Sequence, residues 1–204
     1  MENIKPIETF YNGYRFRSRL EARWAVFFDA VGIKYEYEPE GVRLSDRTIY
    51  LPDFYLPQFY CYFEVKHKGV KGTRVGDEAI KKISDGAYND SWAGIICYGD
   101  PYDHDMTIYC QEFNDDSGGS YSGPVVFGYY PGTKTPMLYA WADWKDRTFL
   151  DSIEGSHTIP MMTDCSYRRT YNPYLPQEII DAELKARQAR FEYGETPNNN
   201  YIRR

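Results

Sequence analysis

A chain of 204 residues can form one domain with a sizeable core, or one domain with a large insertion, whereas two full domains would be cramped. No apolar run approaches the ~20 residues of a membrane span, and the first residues lack the basic-then-apolar order of a secretory signal. We therefore expect a soluble, cytoplasmic protein without a membrane partner. The four cysteines are far apart and form no Cys/His pair, which argues against a zinc ribbon and gives no disulfide framework.

The charge distribution decides whether nucleic acid can be a partner. A net charge of −6 argues against it, because affinity for a polyanion comes mainly from Lys and Arg. Residues 91–165, however, carry 3 basic and 11 acidic side chains, whereas residues 1–90 carry 14 of each and residues 166–204 carry 7 and 5. The acidity is concentrated in the middle third, so a basic surface elsewhere is compatible with the composition.

The first hundred residues predict the element order αβββαβ. Apolar residues follow Arg17 at helical spacing up to a glycine stop: Leu20, Trp24, Phe27, Phe28 and Val31, then Gly32. Alternation and β-forming residues predict three strands, at 33–40, 47–57 and 60–67. A helix at 76–90 and a short apolar strand at 93–99 complete the order.

The second and third strands can be aligned from the length of their connection. If the four residues 57–60 form the hairpin loop, Asp53 lies opposite Glu64. Like charges that face each other, with Cβ atoms ~5 Å apart, destabilise a hairpin, so we expect a positive group between them. Lys66 is two residues beyond Glu64 and shares its face of the strand, while the residues on either side of Glu64 point to the core.

Glu21 supplies a third carboxylate. On a helix it shares a stripe with Trp24 and Phe28, which places it on or beside the buried face. Taken alone, such a glutamate more often forms an ion pair with a residue one turn away, here Arg17. Three acids and one lysine at these positions are harder to explain as separate structural charges.

Glu21 on a first helix, Pro52-Asp53 on one strand and Glu64-Val65-Lys66 on the next resemble the PD-(D/E)xK nuclease superfamily in its E…PD…ExK form. The surrounding segments FRSRLEARWAVFF, YLPDFYLP and FEVKHKG are similar to phage and bacterial nuclease-domain proteins of this type. The resemblance covers about residues 10–99, and ARQARFEYGE at 186–195 is faintly similar to the tail of some phage-encoded members. The spacing of the acids and lysine also resembles that of phage junction-resolving endonucleases.

This resemblance implies a catalytic set of Glu21, Asp53, Glu64 and Lys66. It implies Mg²⁺, with Mn²⁺ able to substitute, held by Asp53, Glu64 and the Val65 carbonyl, with Glu21 as a further ligand or a group that orients water. Carboxylates and water are the usual ligands of Mg²⁺, which can deliver hydroxide and neutralise phosphate charge. Lys66 would hold or deprotonate the attacking water and stabilise developing negative charge, and these roles stay open. It could instead be a structural counter-ion to the two acids.

Basic residues around this motif are candidates for contacts with the nucleic-acid backbone. They are Arg17, Arg19, Lys68, Lys71 and Arg74. Lys68 and Lys71 follow the catalytic strand directly, which makes them the stronger candidates, and others in the set are expected to be ordinary solvated charges.

Beyond the first unit, residues 100–165 predict an acidic, Tyr-rich β extension of the same domain, and residues 166–204 predict a C-terminal helix and tail. The segment Asp100–Asp105 is expected to be a solvated acidic turn rather than a metal site. In the tail, Ile180, Leu184 and Phe191 at helical spacing predict the packing face of a helix with a basic side.

The expected fold is therefore α+β: a restriction-endonuclease-like core at 1–99 with a mixed sheet, an inserted β-rich segment and a C-terminal helix. The leading functional hypothesis is a Mg²⁺-dependent nuclease, with DNA as the favoured substrate and endonuclease action as the favoured mode of cleavage. The resemblance alone implies a context in phage or mobile-element metabolism. The alternative is a non-catalytic protein on a nuclease fold that binds a host protein through residues 100–165, for example by imitating nucleic acid. A homodimer stays open.

Overall fold

The computed structural model of the chain describes residues 6–89, 93–111, 120–129, 132–143, 148–152 and 176–191. The helices are α1 (Arg19–Val31), α2 (Arg74–Asn89) and α3 (Gln177–Gln188). The strands are β1 (Thr9–Tyr11), β2 (Tyr14–Phe16), β3 (Glu36–Tyr37), β4 (Val42–Arg43), β5 (Ile49–Tyr50), β6 (Phe54–Leu56), β7 (Cys61–Lys66), β8 (Ala93–Tyr98), β9 (Met106–Gln111), β10 (Ser120–Tyr129), β11 (Pro136–Asp143) and β12 (Thr148–Ser152). Among the described residues, no helix is long and apolar enough to cross a membrane.

Eight of the strands form one mixed sheet in the order β12-β11-β10-β9-β8-β7-β6-β3. Strands β7 and β8 run parallel and are joined through α2, while the other neighbours in the sheet are antiparallel. The prediction of a mixed α/β fold is therefore confirmed at this level. Strands β9 to β12 continue the sheet that contains β7 and β8, so the acidic middle third contributes strands to it.

The sheet is covered on both faces. One face carries α1, whose Trp24 and Phe28 pack on Phe63 of β7. The other face carries α2 and the β4–β5 hairpin, with Ile83 and Tyr50 in a second apolar cluster. Alternation along β7 therefore sends Phe63 toward α1 and the neighbouring Glu64 toward Tyr50, as the strand period requires.

Helix α1 follows its sequence signals closely. The Ser18 side chain accepts a hydrogen bond from the Glu21 backbone N–H, and Gly32 ends the helix with φ +79°. Trp24, Phe27, Phe28 and Val31 are buried and Leu20 is half-buried, so the predicted apolar stripe is confirmed from Trp24 onward. Glu21 lies in the first turn of α1, so this end of the helix is next to the candidate site.

The predicted hairpin register is confirmed at all three paired positions of β6 and β7: Phe54 with Phe63, Tyr55 with Tyr62 and Leu56 with Cys61. A 3-10 turn at Pro57–Phe59 and Tyr60 in the left-handed region form the connection. Asp53 lies in a bend one residue before the first paired position of β6, so the ladder itself does not include the predicted pair of Asp53 and Glu64.

The predicted strands at 33–40 and 47–57 are wrong in length. Only Glu36–Tyr37 is a strand in the first segment, and the second contains two short strands, β5 and β6, separated around Pro52. Proline has no N–H to donate to a ladder, which accounts for a break at this point. The β1–β2 hairpin before α1 and the β4–β5 hairpin are additions to the predicted order.

The predicted packing face of the C-terminal helix is also wrong. The buried residues of α3 are Ile179, Ala182, Glu183 and Ala186, whereas Ile180 and Leu184 are only half-buried. Helix α3 packs against α1, and the small side chains of Ala182 and Ala186 permit this close approach. Phe191 does pack on the core, with its ring edge on Tyr11 at 6.1 Å between centroids.

Candidate active site

Asp53 and Glu64 are both buried carboxylates beside the same end of the β6–β7 ladder. Their exposed fractions are 3% and 5%. Burial of an ionised carboxylate is unfavourable unless charges or hydrogen bonds compensate it. The partners of each oxygen therefore show how this chain stabilises the pair.

Asp53 is held by one cation and one backbone group. Its Oδ1 accepts a hydrogen bond from Arg17 Nη2 at 2.7 Å, and its Oδ2 accepts one from the Val65 backbone N–H at 2.7 Å. The second bond occupies a strand donor just beyond the last pair of the β6–β7 ladder. It fixes the Asp53 side chain against β7.

Glu64 is held by a tyrosine and the motif lysine. Its Oε2 accepts a hydrogen bond from the Tyr50 hydroxyl at 2.5 Å, and its Oε1 forms an ion pair with Lys66. Tyr50 is itself buried, so this bond lies away from water. Lys66 keeps a quarter of its side chain exposed, which gives the pair an opening to solvent.

The electrostatics of the site are dominated by the burial of two acids, although each acid is paired with a cation. Burial, together with the charge of Glu64, raises the pKa of Asp53 to about 7. Burial lowers the pKa of Lys66, but Glu64 and Asp53 outweigh that effect and the net shift is upward. Lys66 is therefore an ammonium group at neutral pH in the metal-free protein.

Glu21 lies at the edge of this cluster. Its Oε1 accepts from the Ser18 hydroxyl at 2.7 Å, and its Oε2 accepts from the Tyr37 hydroxyl at 2.6 Å and the Arg17 backbone N–H at 3.1 Å. The ion pair with the Arg17 guanidinium group that the sequence offered as an alternative is replaced by this backbone contact. The charge of Glu21 still contributes to the raised pKa of Asp53.

The predicted nucleic-acid contacts differ in their surroundings. Arg17 reaches into the site itself, while Lys68 pairs with Asp103 at 2.7 Å and Lys71 with Asp105 at 2.6 Å. The remaining two lie on helices: Arg74 pairs with Glu78 on α2 at 2.8 Å, and Arg19 is the first residue of α1. Phosphate binding by Lys68, Lys71 or Arg74 would have to compete with an internal acid.

The expectation of a solvated turn at 100–105 is wrong. Asp100 and His104 are buried, and Arg187 of α3 pairs with Asp100 at 3.0 Å and with Asp103 at 2.7 Å. His104 Nε2 lies 2.7 Å from Glu183 Oε1. The turn is therefore the docking point of α3, which local sequence could not indicate because its partners are more than seventy residues away.

The oxygen donors of the site could hold a divalent cation only if their number and kind suit such an ion. No group of three or more His, Cys, Asp or Glu side chains is arranged as a metal site among the described residues. Two buried carboxylates remain, Asp53 and Glu64, beside the Val65 carbonyl on β7. Oxygen donors of this kind suit Mg²⁺, which binds through one or two carboxylates and keeps several waters. Burial, and after it the charge of Glu64, raises the pKa of Asp53, and a bound cation would offset both effects. The residues fit, and Glu21 as a further ligand stays a prediction.

Two tyrosines of the site were missed by the sequence analysis. Tyr50 and Tyr37 place their hydroxyl groups on Glu64 and Glu21, and burial raises the pKa of both, with the adjacent carboxylate adding to the shift. Tyr50 is three residues before Asp53 in a β-forming run, but no spacing rule indicated that its hydroxyl group would meet Glu64 on another strand.

Replacing Tyr50 with phenylalanine should destabilise the metal-free protein by about 1–3 kcal/mol, because a buried charge-assisted hydrogen bond to Glu64 is lost without a change in shape. Urea unfolding in EDTA measures this effect. Tyr60→Phe is the matched control, because Tyr60 is exposed at the hairpin turn and its loss should change stability little. Equal stability of the two variants would mean that the Tyr50 hydroxyl group does not support Glu64.

Comparison of the chain with protein-family models and with curated protein sequences finds no match. The site geometry therefore carries the functional argument.

Proposed function

We propose that this chain is a metal-dependent nuclease of the PD-(D/E)xK type that hydrolyses phosphodiester bonds in DNA. The observation that carries the proposal is the pair of buried carboxylates, Asp53 in the bend just before β6 and Glu64 on the neighbouring strand β7, with Lys66 two residues beyond Glu64. Glu21, at the start of α1, completes the acidic set of the sequence motif.

Burying Asp53 and Glu64 together is unfavourable for folding. Burial and the charge of Glu64 raise the pKa of Asp53 to about 7, so the folded chain disfavours having both acids ionised. Arg17 and Lys66 compensate only in part. A group of residues that conflicts with stability in this way is typical of a functional site.

Asp53, Glu64 and the Val65 carbonyl would hold Mg²⁺, which when bound supplies a hydroxide-forming water and neutralises phosphate charge. Lys66, as an ammonium group beside Glu64, would orient the attacking water and stabilise negative charge that develops on the phosphate. Tyr50 would keep the Glu64 carboxylate oriented. Glu21 would orient water at the edge of the site.

The finer fold assignment belongs to the same proposal. The segment from α1 to β8 would be the αβββαβ core of the restriction-endonuclease-like fold, with β3, β6 and β7 as its three strands, the β4–β5 hairpin as an insertion and α2 as its second helix. On this assignment, β9–β12 extend the sheet beyond β8, and α3 is an addition that packs on α1. The catalytic residues come from α1, the bend before β6, and β7.

The competing proposal, a non-catalytic protein that binds a partner through its acidic middle third, is weakened by the ion pairs of that segment. Asp100, Asp103 and Asp105 are already matched by Arg187, Lys68 and Lys71. These three acids are therefore less available to an external basic surface. Much of 112–165 lies outside the described residues, so its other acids carry no structural argument.

A substrate panel tests the proposed function. The purified protein is incubated with supercoiled, linear, single-stranded and four-way-junction DNA and with RNA, each in Mg²⁺, Mn²⁺ or EDTA. We expect cleavage of at least one DNA substrate with either metal and none in EDTA. Cleavage of RNA alone would contradict the assignment to DNA, and absence of cleavage throughout would favour the binding protein.

A further inference from the structure

Arg17 contacts a buried carboxylate of the candidate active site while much of its own side chain is exposed to solvent. Its Nη2 contacts Asp53 Oδ1 at 2.7 Å and its Nε contacts Glu38 Oε1 at 2.7 Å. The Arg17 side chain is 55% exposed, whereas the Asp53 side chain is 4% exposed. The Arg17 guanidinium group can therefore move away from this ion pair far more easily than the buried Asp53 carboxylate can.

The two oxygens of Asp53 are not equivalent. Oδ2 is fixed by the Val65 backbone N–H, which is part of β7 and cannot move away without disturbing the strand. Oδ1 is bound by the exposed side chain of Arg17. Oδ1 is therefore the oxygen whose partner can be exchanged, and an ion that binds there would be repelled by the guanidinium group now 2.7 Å from Oδ1.

We propose that Arg17 is an exchangeable counter-ion that holds Asp53 in the metal-free protein and is displaced when a divalent cation binds. The inference rests on the proposed function, because it concerns the cation that the nuclease site would hold. This role of Arg17 differs from the contact with the nucleic-acid backbone that the sequence led us to expect. Since Arg17 stabilises only the metal-free state of Asp53, it lowers metal affinity.

The alternative role for Arg17 is that of a fixed positioning residue. In that case its contacts with Asp53 and Glu38 would keep the carboxylate in the orientation that the ion needs, and removing the guanidinium group would weaken metal binding. The two roles therefore predict changes of opposite sign in one measurable quantity, the Mg²⁺ dissociation constant.

The test is isothermal titration of Mg²⁺ into wild-type protein and Arg17→Gln, with no substrate present. Displacement predicts that Arg17→Gln binds Mg²⁺ on the order of tenfold more tightly, because an ion pair with a buried carboxylate no longer has to be broken. Arg15→Gln is the matched control: Arg15 is a neighbouring exposed arginine that pairs with Glu8, so its loss should leave the affinity unchanged. Circular dichroism melting establishes that each variant is folded.

A second measurement uses the wild-type protein alone. The Arg17 Nε–H cross-peak in a nitrogen–proton NMR spectrum should shift during Mg²⁺ titration with the same midpoint as the calorimetric binding curve. Arg17→Lys identifies the cross-peak by its absence and keeps the charge if the glutamine variant is poorly folded. A cross-peak that stays unchanged while Mg²⁺ binds would overturn the inference.

The outcomes separate this inference from the proposed function. If wild type binds Mg²⁺, Asp53→Asn does not, and Arg17→Gln binds equally or more weakly, displacement is wrong while the metal site stands. If only Arg17→Gln binds Mg²⁺, displacement is supported in its strongest form. If neither protein binds Mg²⁺, displacement and the metal site of the proposed function both fail.

Discussion

Replacing Lys66 with alanine should reduce the rate of phosphodiester cleavage by on the order of 10²-fold or more while leaving Mg²⁺ binding in place. Lys66 pairs with Glu64 and is three-quarters buried, and the neighbouring acids keep it protonated at neutral pH. In the proposed mechanism its ammonium group would stabilise charge that develops only in the transition state, which affects rate more than binding. Removing it also removes a positive charge near the ion, so metal affinity should not fall.

Single-turnover cleavage and calorimetric Mg²⁺ titration of the same preparations measure the two effects. Lys82→Ala is the control, because Lys82 is an exposed residue of α2 at which a phosphate contact would be peripheral. That variant should lose some affinity for nucleic acid and some of its salt dependence, with the rate of cleavage preserved. If Lys66→Ala cleaves at the wild-type rate, Lys66 is only a structural counter-ion to the acids.

Replacing Asp53 with asparagine should leave the metal-free protein at least as stable as wild type at about pH 8, and more stable by up to about 3 kcal/mol. The sign follows from the pKa, which burial and Glu64 raise from 3.8 to about 7. A raised carboxyl pKa means that the folded state takes up a proton more readily than the unfolded state. The wild-type chain therefore loses stability relative to the variant as pH rises from about 4 to 7. Loss of the Arg17 ion pair offsets part of the gain.

Thermal and urea unfolding in EDTA across this pH range measure the difference in stability between the two proteins. Repeating the unfolding with Mg²⁺ measures how much the ion stabilises each of them. Mg²⁺ should stabilise wild type by binding only the folded state, and this stabilisation should disappear in Asp53→Asn. Asp77→Asn, at an exposed acid of α2, should behave as wild type in both respects. A large loss of metal-free stability in Asp53→Asn would show that the carboxylate holds the fold together.

The parts of the structure that the sequence predicted are those set by local chemistry. Helix α1 follows from the apolar spacing that ends at Gly32, because periodicity and a glycine stop act within a few residues. The β6–β7 register follows from the length of one loop, which is why the relation of Asp53 to Glu64 could be anticipated. Both depend on segments of fewer than twenty residues.

The parts that the sequence did not predict depend on contacts between distant segments. The Arg17 guanidinium group meets Asp53 across 36 residues of chain, and Arg187 meets Asp100 across 87. Such contacts explain why a prediction from local sequence fails. Asp100 resembles a solvated turn residue in the sequence, but α3 covers it in the fold. The packing face of α3 likewise differs from the prediction, because the contact with His104 gives the buried Glu183 carboxylate a polar partner.

The most direct test of the central claim, that the facing carboxylates form a nuclease site, compares wild type with Glu64→Gln purified in parallel. Glutamine keeps the size of the side chain and an oxygen that can accept from Tyr50, but removes the charge that a divalent cation requires. Both proteins are assayed for Mg²⁺-dependent cleavage of the best DNA substrate of the panel. A metal-dependent nuclease site predicts cleavage by wild type that EDTA abolishes, and no cleavage above background by Glu64→Gln. Equal cleavage by the two proteins, or none by wild type on any substrate, would contradict it.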